Sequence, residues 1–175
     1  MAHLIDFEGF GFSGGKRVAG LKVQNMHSQV STLLEHVSPS LPLFLYAHSM
    51  GAMVLATYLD QNPDIAGRLA GVIYTAPFFG IPDHLGFGTI RKCVTKFLSL
   101  HLEEFALSAG IAVHTNSRNK AYMRLCLTGM KAIPFVSLGL LSSFFPALKQ
   151  IQGRSNLVTY PYQMMLGEKD TTVNN

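Results

Sequence analysis

Leu43-Phe44-Leu45-Tyr46-Ala47-His48-Ser49-Met50-Gly51 is the stretch that decides the fold: a short apolar strand ends in a serine flanked, two residues away on either side, by tiny residues. This is the layout of a nucleophile elbow, a sharp strand-to-helix turn that holds its serine in strained backbone geometry. Bulky side chains two before and two after the serine are expected to collide with neighbouring backbone, and those positions hold Ala47 and Gly51. The usual pattern has glycine at both, so Ala47 is a departure of one methyl group. A helix from about Met50 to Leu59 follows, starting with small residues. Its N-terminal amides would face the serine oxygen and favour a developing negative charge.

Working outward, His3 to Phe7 is a short apolar run that reads as a strand and breaks at the glycine-rich Glu8-Gly9-Phe10-Gly11-Phe12-Ser13-Gly14-Gly15. From Leu21 to Val37, apolar residues recur mostly at spacings of three and four, which marks an amphipathic helix stopped by Ser38-Pro39. Beyond the elbow helix and Asn62-Pro63, Gly71-Val72-Ile73-Tyr74-Thr75 reads as a strand buried on both faces and stopped by Pro77. Strand, helix, strand, helix, strand in succession predicts parallel pairing and an α/β sheet.

From residue 78 to about 155 the character changes. Helical segments at Ile90–Gly110, Lys120–Met130 and Ala132–Lys149 run without an evident strand between them, as in an inserted helical lid. The sheet pattern returns at Tyr162-Gln163-Met164-Met165-Leu166 and ends in Gly167-Glu168-Lys169-Asp170. The expected organisation is a core of residues 1–77 and 156–175 around a lid of residues 78–155.

Composition narrows the function classes. Hydrophobic residues are 48% and charged ones 14% of the 175, a globular balance that argues against disorder. The net charge of +4 is spread over single or paired Lys and Arg, which is no nucleic-acid footprint. Cys93 and Cys126 lack metal-ligand spacing, so no metal is expected, and both are expected to stay reduced in an intracellular setting. The first residues do not form a signal peptide. Ala132 to Leu148 is uncharged but shorter than a spanning helix and carries Pro134 and Pro146. It reads as a buried or interfacial helix pair that docks on a membrane surface rather than crossing it.

A serine hydroxyl needs a base, an acid to orient that base, and donors for the oxyanion. Ser49 fits the nucleophile and the backbone N–H of Met50 one oxyanion donor. Asp170, just past a predicted strand, is the candidate acid, with a plain turn aspartate as the alternative. The base should follow the acid in chain order, and residues 171–175 contain no histidine. His48 reads as a structural or wall residue. His3, His27 and His36 read as surface or packing residues, and His84, His101 and His114 fall in the insertion without the rigid support a base requires. Asp6 and Glu8 are expected to tie down the glycine loop that follows them.

Together, Asp6 to Gly15, Ala47-His48-Ser49-Met50-Gly51 and Leu166-Gly167-Glu168-Lys169-Asp170 resemble the D-x-x-G-x-G-x-S-x-G, G-H-S-M-G and G-x-x-D motifs, in this order, of one α/β-hydrolase branch. This is the monoglyceride lipase and lysophospholipase branch, often labelled serine aminopeptidase-like. Ser117-Arg118-Asn119-Lys120 is similar to a segment of that branch's lid. The resemblance implies a partial α/β-hydrolase sheet with a helical lid, no cofactor, and hydrolysis of a monoacylglycerol or other lipid ester through an acyl-enzyme on Ser49. It also favours Asp170 as the acid and a cytoplasmic or peripheral membrane location. Family strands before Leu4, the His-Gly loop, and the final strand, helix and histidine have no counterpart, so the chain looks cut at both ends. The alternatives are a non-catalytic relative that binds a lipid or partner, and a peptidase or thioesterase on the same scaffold.

Overall fold

The computed structural model describes residues 1–81, 88–108, 117–128, 135–154, 158–170 and 173, without the side chains of 126, 127 and 154. Its elements are α1 (Val23–Glu35), β1 (Leu43–His48), α2 (Met50–Gln61), α3 (Pro63–Gly67), β2 (Leu69–Thr75), α4 (Thr89–Ser99), β3 (Ala106–Ser108), α5 (Lys120–Thr128), β4 (Phe135–Ser137), α6 (Leu138–Arg154) and β5 (Tyr162–Met165). They fall into two compact units: residues 1–4, 27–84 and 145–175, and residues 5–26 and 85–144.

The first unit carries a parallel sheet in the order β1-β2-β5. Leu45 pairs with Val72, Ala47 with Tyr74, Val72 with Tyr162 and Tyr74 with Met164, so these side chains share one face. Ala47, Val72 and Tyr74 on that face are buried. The other face carries Phe44, Tyr46 and His48 beside Gly71, Ile73 and Thr75. Phe44 and Tyr46 remain 66% and 67% exposed, so β2 is covered fully on one side only, where the continuous apolar run predicted burial on both.

α2 is buried over most of its circumference, with Ala52, Met53, Val54, Leu55, Tyr58 and Leu59 in the core. Thr57 resolves its polarity by bonding back to the Met53 carbonyl at 2.9 Å and meeting His27 Nε2 at 2.9 Å. Asn62 ends α2 by donating its side-chain amide to the Tyr58 carbonyl at 2.7 Å. Pro63 then starts α3, where its missing N–H costs nothing.

In the second unit, β3 and β4 form an antiparallel ribbon, so the insertion expected to be helical throughout also contains strand. Three-residue strands are too short to show a period of two, and their pairing is decided by a partner about 30 residues away. The Leu138 N–H donates to the Phe105 carbonyl and the Gly139 N–H to the Glu103 carbonyl, both at 2.9 Å, which fixes the start of α6. Residues 5–26 join this unit through ion pairs Lys16–Glu104 (2.7 Å) and Lys22–Glu103 (3.0 Å) and the Val23 N–H bond to Ser143 Oγ (3.1 Å).

Two further expectations are corrected. Residues 3–7 are not a strand; the Asp6 carboxylate instead accepts from the Phe12 N–H at 3.0 Å and the Asp6 carbonyl from the Ser13 hydroxyl. Of the helix pair expected over 132–148, residues 132–134 lie outside the described residues, 135–137 are β4, and the rest belongs to one helix from 138 to 154 with Pro146 inside it. Its apolar residues Leu138, Leu140, Phe144, Ala147 and Leu148 are buried, which removes them from any lipid-facing surface. Among the described residues, no helix is long and apolar enough to cross a membrane.

Candidate active site

β1 ends at His48, α2 begins at Met50, and Ser49 alone makes the turn between them at φ 52°, ψ −123°. A non-glycine residue at this φ is costly and persists only where its surroundings over-determine it. The surroundings are visible here: the Ser49 N–H donates to the Thr75 carbonyl at 3.1 Å. The Ser49 carbonyl accepts from Ala52 N–H at 3.0 Å and from Phe78 N–H at 3.1 Å. The turn is thereby fastened to the end of β2, to the segment after it and to the first turn of α2.

The serine side chain is half-buried, neither sealed in the core nor fully in solvent. Met50 is the first residue of α2, so its N–H has no carbonyl four residues earlier within the helix. Ala47 lies in the core at 8% exposure. At Gly51 an added Cβ would meet no described atom within 4 Å apart from its chain neighbours and its own helix backbone.

His48 is exposed, with Nδ1 2.9 Å from the Thr75 carbonyl and 3.1 Å from the Thr75 hydroxyl. A carbonyl only accepts, so Nδ1 carries the hydrogen and braces the end of β2. The Tyr46 phenol meets the same Thr75 hydroxyl at 2.9 Å. Thr75 is thus an anchor of the elbow that the sequence reading missed, because its decisive atom is a backbone oxygen every residue has. Ala76, at φ 40°, continues the turn by donating its N–H to the Met165 carbonyl at 2.9 Å.

Asp170 closes a turn after β5: its N–H donates to the Gly167 carbonyl at 3.0 Å, and its Oδ1 accepts from Val173 N–H at 3.2 Å. It is half-buried. Thr75 pairs with His48 on one side and Met165 on the other, so the elbow and the Asp170 turn leave the same carboxyl edge of the sheet with one strand between them. At the usual strand spacing, β1 and β5 are roughly 10 Å apart.

Of the remaining histidines, His27 is buried against Tyr58, and desolvation holds its pKa below the ordinary value. His3, His36 and His101 are exposed, while His84 and His114 lie outside the described residues. Asp6 and Glu8 serve the glycine loop: a Cβ at Gly11 (φ 48°) would overlap the Asp6 carboxylate, and one at Gly15 (φ 87°) would overlap Glu8. Among the described residues, no three His, Cys, Asp or Glu side chains gather closely enough to hold a metal ion.

A parallel sheet in which the turn after β1 presents a serine at positive φ ahead of a buried helix is the core of an α/β-hydrolase. The family described as "Serine aminopeptidase, S33" matches residues 1–175, and the chain belongs to that family. It is similar to human monoglyceride lipase, 26% identical over 178 residues that cover 94% of this chain and 54% of the relative. Among solved structures, a monoacylglycerol lipase from Paleococcus ferrophilus superposes with a TM-score of 0.81 at 21% identity, over 96% of this chain and 62% of that one. A soluble variant of monoglyceride lipase from Saccharomyces cerevisiae, in complex with a substrate analogue, gives 0.74 at 18% identity, over 97% and 59%. The chain therefore spans a little over half the length of these relatives.

Proposed function

We propose that this chain carries the nucleophile half of a serine hydrolase for lipid esters of the monoacylglycerol type. Ser49 attacks the ester carbonyl, the Met50 N–H receives the oxyanion, and the alcohol leaves as the acyl group is transferred to Ser49 Oγ. Asp170 is the acid that orients the imidazole base. Its turn leaves the sheet edge two strands from the elbow, which leaves room for that ring between the two. No histidine follows Asp170 in residues 171–175, so the base is not assigned within them.

The observation that carries this reading is the positive φ of Ser49, held by Thr75 and Phe78. A lipid substrate is favoured over a peptide by α4, which is inside out. Thr95 is its buried residue, while Ile90, Val94 and Phe97 stand 80%, 50% and 63% exposed and form one stripe at spacings of four and three. Arg91, Lys92 and Lys96 lie on the same helix. An apolar stripe with neighbouring cations suits the headgroup boundary of a membrane, where the insertion would serve as a lid at the lipid surface.

A fluorophosphonate probe tests the nucleophile directly. Slow labelling that maps to Ser49 and vanishes in Ser49→Ala is expected of residues 1–175, because a triad without its base keeps only a small residue of its rate. Labelling at another residue, or none after prolonged incubation, overturns the proposal.

A further inference from the structure

We infer that the hydroxyls of Thr75 and Tyr46 are positioning groups for Ser49, and that they act through the His48 ring to set how the elbow backbone is held. The inference rests on the reading of Ser49 as the nucleophile. It concerns side chains outside the serine, acid and base pattern, on the sheet face opposite the buried Ala47, Val72 and Tyr74.

The Thr75 carbonyl is shared. It accepts the Ser49 N–H at 3.1 Å and lies 2.9 Å from His48 Nδ1, so a shift of the ring changes how one oxygen divides between a movable side chain and the strained turn. His48 is exposed, and packing alone does not fix its ring. The Thr75 hydroxyl, 3.1 Å from the same Nδ1, holds the ring between two oxygens. Any residue would supply the carbonyl; the hydroxyl is particular to this one.

Hydrogen counting gives the relay a direction. Nδ1 carries its hydrogen, because the carbonyl only accepts, and that hydrogen is divided between the Thr75 carbonyl and hydroxyl oxygens. The Thr75 hydroxyl, accepting from the ring, donates its own hydrogen to the Tyr46 phenol oxygen 2.9 Å away. Tyr46 is the outer end, at an exposed ring whose O–H is left to water. This order gives every hydrogen an acceptor, and bonds in such a chain polarise one another. The sheet supplies the geometry: Thr75 pairs with His48, and Tyr46 precedes His48 by two residues on β1, so the three side chains leave the same face. Valine at position 75 would keep the carbonyl and the branched shape and remove only the relay.

The test compares Thr75→Val, Thr75→Ser and Tyr46→Phe with the parent chain by two readouts. The first is hydrogen exchange of the Ser49 amide followed by NMR, which requires no reactivity. Relative to the amides within α2, it should speed up by about tenfold in Thr75→Val and about fivefold in Tyr46→Phe, and return to the parent rate in Thr75→Ser. The second is fluorophosphonate labelling of Ser49, whose limiting rate at saturating probe should fall in the same order while the half-saturating probe concentration stays unchanged. A general loss of stability would instead speed exchange throughout α2. Unchanged Ser49 exchange in Thr75→Val, a change shared equally by α2, or a loss that serine does not restore overturns the inference. A chain that follows the expected exchange pattern yet is never labelled supports it and overturns the nucleophile reading instead.

Discussion

The N–H of Ser49 points into the carbonyl of Thr75, 3.1 Å away, and that same oxygen takes the ring nitrogen of His48 at 2.9 Å. One backbone acceptor at the end of β2 therefore holds both the residue that makes the turn and the residue before it. The strained dihedral is maintained by the neighbouring strand together with the segment after it and the first turn of α2.

The strain is measurable. Ser49→Gly relieves the cost of a side chain at φ 52°, whereas Ser49→Ala keeps it. The glycine variant should be more stable than the alanine variant by about 1 kcal/mol in urea denaturation. Equal midpoints would mean the turn carries no strain.

Thr57 and His27 form a buried polar pair, and removing the Thr57 hydroxyl takes one buried partner from a ring that also bonds the Gln61 side chain and the Val54 backbone. Thr57→Val should destabilise the chain by about 1–3 kcal/mol, read as a lower urea midpoint with an unchanged slope.

The same pair sets a pH dependence. Desolvation holds folded His27 below its ordinary value of 6.5, so the unfolded chain takes up the proton first as the solution is acidified. Stability contributed by neutral His27 is complete above that value, falls as pH drops through it, and levels off once the folded ring also titrates. His27→Gln should flatten this part of the stability curve as the pH falls through 6.5 and below. An unchanged curve would assign the dependence to other groups.

Asp170→Asn tests the acid in a longer form of the protein that carries a histidine after the β5 turn. Acylation by a monoacylglycerol ester should fall by about 10⁴ while the melting profile is retained. A loss of less than about tenfold would return Asp170 to the role of a turn residue.

Phe97→Glu tests the inside-out helix. Flotation with anionic vesicles should drop severalfold, while stability stays within about 0.5 kcal/mol because the ring already faces solvent. Undiminished flotation would place any lipid contact elsewhere.

The elbow was legible in sequence because three local rules coincide there: an apolar strand, small residues at fixed offsets from Ser49, and a helix start. β1, α2, β2 and β5 followed from their patterns within two residues at most boundaries. What escaped were features decided by distant partners. Residues 3–7 have a strand's composition, but Asp6 spends its hydrogen bonds on Phe12 and Ser13 in a local turn. β3 and β4 have almost no composition to read. The stripe Ile90, Val94, Phe97 was legible as part of a helix, yet periodicity gives the stripe and not the direction it faces, and the uncharged 132–148 tract that composition favours for lipid contact buries Leu138, Leu140, Phe144, Ala147 and Leu148 in α6. The phenol bond between Tyr74 and Tyr160 joins residues 86 positions apart and has no local signal at all.

Phe44 and Tyr46 stand side-on to water on a sheet face where fully wound α/β proteins keep a helix. Apolar and bordered by a strand that, among the described residues, pairs on one edge only, that surface is adhesive. Residues 1–175 purified alone would clump as they are concentrated, and glutamate or lysine in place of these two rings would be the first remedy at the bench.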